Sequence, residues 1–439
     1  MASVDVVVVG AGLSGLTAAL GLAGAGARVE VIARGHAATH WTAGGFDIAA
    51  PAGSTTSADG VTRLRGDRGH PYRILRRDVA PGLAGIRGTL SAEGLDYLGE
   101  LDDPIRPVPT AIGGTRLAAI LPAGQAPALV PWAGGERLVV CGPAGFKDFW
   151  PAAIAASLTR SAVWGGAESR PDRVVDAVLE LPGLAGRRNL SALDLARLFD
   201  DAAWRAEAFG RIAAAVEPHA RREAVRIGFP AVLGLEDHAA VLADAARLLP
   251  APIFEIPLVP PSVPGIRLYG ALRAALRRLG GRILLGEPVV RVDVERRRVV
   301  RVAATAAVRE RVVRTGGLVL ATGGIAGGGL IGRADGRLEE PLLGLPVEAP
   351  PGDEWLAADP FDPAGHPLEA AGIRTDDDLR PVDGRDRVVV ENVAVIGALL
   401  AGQRYLSQRC GDGVALASGR RAAAVLAARP AAAKAKRAS

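Results

Sequence analysis

The chain has 439 residues and a net charge of +5, from 52 lysines and arginines against 47 aspartates and glutamates. This length allows two or three domain-sized cores, and thus an enzyme with separate cofactor and substrate lobes. Two cysteines exclude a disulfide framework and an iron–sulfur cluster held by four thiolates, and no basic cluster interleaved with aromatic residues indicates nucleic-acid binding.

The first 33 residues predict a strand, a turn, a helix and a second strand. Residues 4–9 are a β-branched apolar run, residues 13–24 are rich in Ala and Leu, and residues 28–33 alternate as a strand does. The turn carries three glycines at the spacing G-x-G-x-x-G, namely Gly10, Gly12 and Gly15. This order is typical of a dinucleotide-binding βαβ unit, in which N–H groups at the helix N-terminus meet a phosphate.

The same stretch has the length of a membrane span, because residues 6–27 are 22 residues without a charge. Six of them are glycines, however, and no positively charged segment precedes the run. We therefore interpret it as the βαβ unit and not as a membrane span or signal peptide.

The middle of the chain changes character near residue 148. Residues 51–130 are rich in Gly, Pro and Arg, which predicts loops and short strands rather than long helices. Helical patterns follow at 150–159, at 189–216 with Ser191 as N-cap, and at 238–249. A proline-rich hinge at 257–265 then leads into a predicted helix at 266–279.

The last third predicts strands and one final helix. The predicted strands are 282–285, 288–294, 298–306, 309–313, a buried strand that breaks into a glycine turn within 317–324, and 393–397. The final helix is predicted at 414–428. The tail, 429–439, has no apolar periodicity and is expected to be disordered.

Two further glycine-containing turns could face a nucleotide. The buried strand ends in Ala321, Thr322 and Gly323, which would let the backbone pass close to a cofactor, although any buried strand can end in a tight turn. Near the C-terminus come Gly397 and then Gly411-Asp412-Gly413, whose N–H groups could bind a flavin edge or phosphate. Asp412 could instead cap the last helix.

Cofactor motifs at the beginning, late middle and end predict a domain built from discontinuous segments, which is typical of flavoproteins. We therefore predict an α/β fold: a Rossmann-like flavin-binding domain with a central parallel sheet, and an inserted α+β cap or substrate domain. The predicted flavin domain comprises 1–50, 265–330 and 387–428. The cap comprises 51–264 and 331–386.

The tip of the second strand lacks the usual carboxylate for an adenosine ribose, since it reads Ile32-Ala33-Arg34. Glu30 lies three residues before Ala33, roughly 10 Å back along a strand, and thus inside the sheet. Arg34 has no acceptor for a hydroxyl and suits a phosphate or carboxylate. The pattern favours FMN, which has no adenosine ribose; the alternative is FAD with its ribose held by backbone or water.

Five segments resemble the family formed by the B subunits of anaerobic glycerol-3-phosphate dehydrogenases. They are R-G-H-A-A-T-H-W-T-A-G-G-F-D-I at 34–48, P-P-S-V-P-G-I-R-L-Y-G-A-L-R at 260–273, the glycine-rich stretch at 323–345, G-I-R-T-D-D-D-L-R-P at 372–381, and 396–415. The resemblance runs from residue 4 to about residue 425 and is weakest between 51 and 140. This family has a small residue where Ala33 lies; the chain departs from it at 411–413, where G-D-G replaces an expected G-G-G.

The resemblance implies a flavoprotein subunit in a fold similar to the fumarate reductase and succinate dehydrogenase flavoproteins, with FMN as the family's flavin. The resemblance also implies that this subunit functions in a complex with a larger catalytic flavoprotein, which oxidises sn-glycerol 3-phosphate to dihydroxyacetone phosphate. Electrons would pass to a membrane-attached iron–sulfur subunit and then to quinone. The implied location is cytoplasmic, at the inner face of the membrane through a partner, and the scarcity of cysteine fits a reducing compartment.

The predicted cofactor-binding residues combine these motifs with the family's flavin loop. They are Gly10, Gly12, Gly15, Arg34, Gly35, Gly44, Gly45, Ala321, Thr322, Gly323, Gly397, Gly411, Asp412 and Gly413. No metal-site spacing is present.

Catalytic residues are not fixed by the sequence. His40, in the segment that resembles the flavin loop, could bond to flavin or be an ordinary loop histidine. Arg267 could meet a substrate phosphate. Glu236, Asp237 and His238 are neighbours, and we interpret them as a solvated helix start.

Two other functions stay open at the level of the sequence. One is a self-sufficient flavin oxidoreductase on another small substrate, which activity of the lone chain would favour. The other is a scaffold subunit that keeps the fold without a flavin, which a colourless protein would favour.

Overall fold

The computed structural model describes residues 2–165, 170–221, 224–306 and 309–438. The chain divides into two compact units. The terminal unit comprises Met1–Thr39, Asp47–Thr89 and Leu272–Ser439, and the inserted unit comprises His40–Phe46 and Leu90–Ala271.

The helices of the described residues are α1 (Leu13–Gly24), α2 (Ser57–Arg65), α3 (Tyr72–Ser91), α4 (Pro151–Leu158), α5 (Ala192–Asp200), α6 (Ala202–Ala220), α7 (His238–Leu248), α8 (Val263–Arg278) and α9 (Gly411–Ala438). The strands are β1 (Ala2–Val9), β2 (Val29–Ala33), β3 (Tyr97–Leu98), β4 (Arg106–Pro109), β5 (Thr115–Ala118), β6 (Leu121–Pro122), β7 (Arg137–Pro143), β8 (Arg173–Leu179), β9 (Val225–Pro230), β10 (Ile253–Ile256), β11 (Arg282–Leu285), β12 (Val289–Glu295), β13 (Arg298–Ala306), β14 (Arg309–Leu320), β15 (Ile331–Gly332), β16 (Leu338–Glu339), β17 (Val347–Glu348), β18 (Gly372–Ile373) and β19 (Val393–Val395).

The terminal unit is built on a seven-stranded sheet in the order β11-β2-β1-β14-β13-β12, with β19 also paired to β14. Strands β11, β2, β1, β14 and β19 are parallel, whereas β13 and β12 are antiparallel. The run of valines in β1 is buried, as expected of a central parallel strand. Parallel strands bring their carboxyl ends to one edge, so the turns after β1, β2, β14 and β19 lie at the same edge of the sheet. This sheet confirms the predicted Rossmann-like flavin fold.

Helices α1 and α9 pack closely because small residues face each other. A Cβ built on Gly21 would lie 2.7 Å from the Cβ of Ala423, and one on Gly419 would lie 2.7 Å from the carbonyl oxygen of Ser14. These contacts hold the helix that follows the first glycine turn.

The inserted unit has its own parallel sheet and core. Its four strands run in the order β10-β9-β7-β8, all parallel, with the short antiparallel pairs β3–β6 and β4–β5 beside them. Phe149, Phe199, Phe209 and Phe229 lie in one buried cluster with Trp164. The principal sheet is therefore of the α/β type, which differs from the α+β cap expected from the sequence.

The domain boundaries also differ from those expected. Residues 51–89 and 331–386, assigned to the cap from their irregular composition, belong to the terminal unit. Residues 40–46, assigned to the flavin domain, belong to the inserted unit, as do 265–271. The reason is that the predicted boundaries rest on local composition, whereas the two units are defined by contacts between residues distant in sequence.

Three elements differ from their prediction. The segment expected to lack long helices contains α2 and α3; α3 buries Leu75, Val79, Leu83 and Ile86 at helical spacing despite Pro81 within it. The predicted strands at 309–313 and 317–324 are joined in β14. Helix α9 extends to Ala438, past the predicted end at residue 428, and its last ten residues are rich in the strong helix formers Ala and Lys.

Among the described residues, no helix has both the length and the hydrophobicity needed to cross a membrane.

Candidate functional site

The first glycine turn brings the end of β1 against the end of β14. Gly10 has φ +113°, and a Cβ built on it would lie 2.1 Å from the carbonyl oxygen of Ala321. The N–H of Ala321 donates to the carbonyl oxygen of Val9 at 2.9 Å. Only glycine allows this approach, and the first and second predicted motifs therefore lie side by side.

The second and third glycines shape the start of α1. A Cβ on Gly15 would lie 2.1 Å from the carbonyl oxygen of Gly10, whereas one on Gly12 would meet only the Cβ of Ala37 at 3.3 Å. Gly12 is the N-cap of α1 and provides no side-chain hydrogen bond; the N–H of Leu13 donates to Oγ1 of Thr39 at 2.9 Å. The space beside Gly12 at the N-terminus of α1 would allow a phosphate group to approach the helix N–H groups. Sequence reasoning missed Thr39, since its role depends on the loop after β2.

The second turn contributes a buried hydroxyl. Oγ1 of Thr322 is buried and has no hydrogen-bond partner among the residues that the structure describes. Gly323 has φ +80°, and a Cβ on Gly329 would lie 2.6 Å from that oxygen. Buried hydroxyls are normally hydrogen-bonded, so the geometry fits a polar group of a bound nucleotide beside Thr322. The residues present thus fit a flavin nucleotide.

The tip of β2 has the features expected from the sequence. Glu30 is fully buried within the sheet, and its Oε2 accepts a hydrogen bond from Arg311 at 2.6 Å, so it is not available to a ribose. Arg34 is exposed and has no protein partner within the described ranges. Nη1 of Arg34 lies 3.9 Å from a Cβ built on Gly328, which places the guanidinium beside the glycine-rich turn after β14. Gly35 is exposed, with open space around it.

Gly397 joins the third motif to the same edge. It has φ +66°, and a Cβ on it would lie 2.4 Å from Oγ of Ser14 in the first turn of α1. Its N–H donates to Oγ of Ser418 at 3.0 Å, and its carbonyl oxygen accepts from Nε2 of Gln403 at 2.7 Å. The structure therefore brings Gly10, Ala321 and Gly397 together around one helix start.

The turn at 411–413 is engaged within the protein. The N–H groups of Asp412 and Gly413 both donate to the carbonyl oxygen of Asp47 at 3.2 Å, and Oδ2 of Asp412 accepts the N–H of Asp47 at 2.9 Å. A Cβ on Gly413 would lie 2.0 Å from the hydroxyl of Tyr72. The N–H groups of Asp412 and Gly413, which the sequence assigned to a flavin, thus have an acceptor within the protein. The carboxylate of Asp412 is engaged by the backbone of Asp47. Gly411 is partly buried, and a Cβ on it would lie 3.3 Å from the Cβ of Tyr405.

Four predicted site residues lie in the inserted unit, namely His40, Gly44, Gly45 and Arg267. Gly44 has φ +93°, and a Cβ on it would lie 2.6 Å from the Cβ of Pro264; a Cβ on Gly45 would lie 2.4 Å from Nη2 of Arg116. The ring of His40 contacts that of Tyr269 edge-on, with centroids 5.7 Å apart. Packing within this unit accounts for both glycines.

Arg267 is committed to a buried ion pair, which argues against the predicted contact with a substrate phosphate. Its Nη1 and Nη2 donate to the two carboxylate oxygens of Glu255 at 2.8 and 2.9 Å, and its Nε donates to the carbonyl oxygen of Gly234 at 2.6 Å. Burial alone would raise the pKa of Glu255, but the charge of Arg267, together with His238 and the hydrogen bonds from Arg267 and from the N–H of Leu233, holds that pKa below its usual value. Each of the three guanidinium nitrogens therefore donates a hydrogen bond within the protein.

His238 belongs to the same cluster, so its interpretation as part of a solvated helix start is wrong. It is 5% exposed, and its Nδ1 lies 2.6 Å from the carbonyl oxygen of Leu233. Its Nε2 lies 3.4 Å from Nη1 of Arg267. Burial, and then the charge of Arg267, lowers the pKa of His238 to about 4. Its neighbours Glu236 and Asp237 are exposed, as expected.

Neither cysteine is suited to redox chemistry. Cys141 and Cys410 are both free and buried, and burial raises the pKa of each thiol to about 12. A thiolate is the reactive form, so both stay inert near neutral pH. A flavin, when bound, would supply the electron-accepting group that the side chains lack.

Comparison with known proteins identifies the family of the chain. A family model described as "FAD binding domain" matches residues 5–414. The B subunit of the anaerobic glycerol-3-phosphate dehydrogenase of Yersinia pestis is 30% identical over 440 aligned residues, covering 94% of this chain and 96% of that protein. The B subunit of the Pectobacterium atrosepticum enzyme is 29% identical, with the same coverage.

Solved structures with a similar chain include a 3-ketosteroid Δ1-dehydrogenase from Sterolibacterium denitrificans, at TM-score 0.44 and 13% identity, covering 98% of this chain and 100% of that one. A flavocytochrome c3 fumarate reductase has TM-score 0.44 and 12% identity, covering 97% and 78%. From the family model and the curated relatives, the chain belongs to the FAD binding domain family of flavin-dependent oxidoreductases, together with the B subunits of anaerobic glycerol-3-phosphate dehydrogenases.

Proposed function

We propose that this protein is the B subunit, a flavoprotein, of a respiratory complex that oxidises sn-glycerol 3-phosphate to dihydroxyacetone phosphate. The observation that supports this most is 30% identity to proteins of that name over 94% of the chain, with the glycine turn and the turn after β14 joined at Gly10 and Ala321. Oxidation of the secondary alcohol releases two electrons and two protons, which quinone takes up as quinol.

Partner subunits are part of the proposal because the described residues offer no further electron carrier. Both cysteines are buried with raised pKa values, and among the described residues no group of three His, Cys, Asp or Glu side chains is placed to hold a metal. We therefore propose a larger catalytic flavoprotein and a membrane-attached iron–sulfur subunit as partners, with this chain peripheral at the cytoplasmic face.

We propose FAD as the flavin, because the matching family is described as FAD-binding. The sequence favours FMN, since Ala33 leaves the tip of β2 without a carboxylate and Glu30 is committed to Arg311. FAD binding then requires that backbone or water, rather than a carboxylate at position 33, satisfies its ribose hydroxyls. Denaturing the purified protein and separating the released cofactor by chromatography distinguishes FAD from FMN.

The test of function compares the chain alone with the reconstituted complex. We expect little glycerol-3-phosphate:quinone activity from the isolated yellow chain and recovery when the two partners are added. The Gly12→Val chain is the control, since it should enter the mixture without flavin. Full turnover by the isolated chain would favour the self-sufficient oxidoreductase, and a colourless wild-type chain that still restores activity would favour the scaffold.

A further inference from the structure

Three segments of the terminal unit lie against one another and expose large apolar side chains. The segments are 331–339, 352–366 and 404–407. A Cβ built on Gly332 would lie 3.5 Å from the ring of Trp355, and Nη1 of Arg404 donates to the carbonyl oxygen of Ala364 at 3.1 Å. These contacts place the first and the last segment against the middle one.

Each of the three segments contributes to an exposed group of large apolar or aromatic side chains. The group consists of Ile331, Leu356, Phe361, Tyr405 and Leu406, and we call it the apolar patch. Leu356, Phe361 and Leu406 are 68%, 89% and 62% exposed, which makes them three of the five most exposed large apolar side chains among the described residues. Single exposed apolar residues are ordinary on protein surfaces, whereas a group of them marks an interaction surface.

The most exposed member, Phe361, lies on an ordered loop. Oδ1 of Asp359 accepts the N–H of Phe361 at 2.9 Å, and Oδ1 of Asp362 accepts the N–H of Ala364 at 2.8 Å. A proline follows each of these two aspartates and restricts the backbone there. A loop that is already ordered loses less conformational entropy on binding, so Phe361 suits an aromatic anchor that enters a pocket on a partner.

The surroundings of the apolar patch are acidic, although the chain as a whole is basic. Residues 338–373 contain eight acidic residues and no lysine or arginine. Four of the eight form no ion pair with any residue that the structure describes, namely Asp353, Glu354, Asp359 and Asp362. The three segments together contain six acidic residues and three arginines, and two of the arginines are paired, Arg333 with Glu339 and Arg337 with Asp335. The surface around the patch therefore has a net negative charge.

We propose that the apolar patch docks a partner subunit that presents lysines or arginines around an apolar pocket for Phe361. This inference rests on the proposed function, which requires partner subunits, and it adds the surface and the chemistry of one contact. Opposite charges on the two surfaces would speed their association, and the aromatic anchor would slow their dissociation. The unpaired carboxylates would also gain the cations that this chain does not supply to them.

The negative charge argues against two other occupants of the apolar patch. The cytoplasmic leaflet of a membrane is itself negatively charged and would repel these carboxylates. A second copy of the chain in a two-fold dimer would bring the same surface of both copies together, so that like charges would meet. A basic surface on a different protein has neither difficulty.

The first test measures binding of the full, flavin-loaded chain to the larger flavoprotein and to the iron–sulfur subunit, each immobilised in turn. The variant is Phe361→Ala. The matched control is Ile112→Ala, which removes an apolar side chain that is 80% exposed and lies in the inserted unit. We expect Phe361→Ala to weaken binding of one partner about 30-fold, mainly through faster dissociation, and the control to bind as the wild type does.

The second test examines the charge of the surface. Asp353→Asn/Glu354→Gln should slow association about fivefold at low salt and make the association rate less dependent on salt, with little change in dissociation. The control is Asp176→Asn/Glu180→Gln, which removes two exposed carboxylates of the inserted unit. This control should associate as the wild type does.

Flavin content and thermal unfolding are measured on every sample. Equal affinity of the Phe361→Ala and Ile112→Ala chains would overturn the docking proposal and leave the proposed function standing. A wild-type chain that binds neither partner would contradict the proposed function, and this proposal with it. Self-association, or binding to anionic vesicles, that Phe361→Ala abolishes would also overturn it, because the occupant would then be a second copy or a membrane. If Phe361→Ala unfolds, the Asp353→Asn/Glu354→Gln chain decides.

Discussion

The carbonyl oxygen of Ala321 occupies the space that a side chain on Gly10 would need, since a Cβ there would lie 2.1 Å from it. This contact joins the ends of β1 and β14 backbone to backbone. Gly12 differs, because its nearest neighbour is the Cβ of Ala37 at 3.3 Å. Gly10 is therefore required for the sheet edge to form, whereas Gly12 leaves space for a ligand at the start of α1.

Gly12→Val is expected to lose the flavin while keeping the fold. The branched side chain would fill the open space at the helix N-terminus and would need only a small shift of Ala37. The measurement is flavin absorbance per protein, with circular dichroism and thermal unfolding to confirm folding.

Gly24→Ala is the matched control, because Gly24 is an exposed residue at the end of α1, is not among the predicted cofactor-binding residues, and a Cβ there meets no atom within 4 Å. It should keep stoichiometric flavin. A Gly12→Val protein that also keeps it would show that the phosphate binds elsewhere.

Gly413→Ala should destabilise the protein, and Tyr72→Phe should partly offset its effect. The hydroxyl of Tyr72 donates to the carbonyl oxygen of Ile48, and a Cβ on Gly413 would lie 2.0 Å from that hydroxyl and 2.6 Å from the Ile48 oxygen. Tyr72→Phe alone leaves that oxygen without its donor, at a cost of about 1–3 kcal/mol. In the double variant one of the two clashes is gone.

A double-mutant cycle on the free energy of unfolding measures this coupling, which should be favourable by about 0.5–3 kcal/mol. Strictly additive effects would mean that Gly413 does not contact Tyr72 in solution.

Arg267→Gln is expected to be strongly destabilising, because it leaves Glu255 charged and buried. Breaking one partner of a buried pair costs about 3–5 kcal/mol. Arg333→Gln is the comparison, since it breaks the pair with Glu339 on the surface, where such pairs contribute about 0–1 kcal/mol. Urea unfolding of both variants gives the difference. Similar small losses would show that the buried cluster around Glu255 is absent.

The protein should lose stability as the pH falls from about 6.5 to about 4. Burial lowers the pKa of both His70 and His238 to about 4, from an ordinary value near 6.5. Between these values the unfolded chain binds protons that the folded chain does not, so stability rises with pH across this window and is flat above it. The loss at pH 4 is up to about 3 kcal/mol for each histidine.

His238→Gln and His70→Gln should each flatten the plot of unfolding free energy against pH in this window. A wild-type protein equally stable at pH 4 and pH 6.5 would contradict the burial of both rings.

The parts of the fold that the sequence predicts are those encoded by local spacing. The glycines at 10, 12 and 15, the strand β2 and the N-cap at Ser191 each have a short-range signal, and the structure contains all three, although β2 is buried at every position rather than at alternate ones. The burial of His238 has none, because it depends on Glu255 and Arg267 farther along the chain. Helix α3 escapes prediction since Pro81 and its glycines mask an apolar stripe. The hydrogen bonds of residues 411–413 have no short-range signal either. The N–H groups of Asp412 and Gly413 donate to the carbonyl oxygen of Asp47, which is remote in sequence.

The sheet order sets the time at which the terminal unit can fold during synthesis. Strand β1 precedes one of its two partner strands, β14, by about 300 residues, and α1 packs on α9, which follows the inserted unit in the chain. The valines of β1 therefore have only β2 beside them while the whole inserted unit leaves the ribosome. We expect nascent chains stalled soon after residue 271 to show a protease-resistant inserted unit and a degradable N-terminus. Protection of residues 1–39 should appear only after α9 emerges.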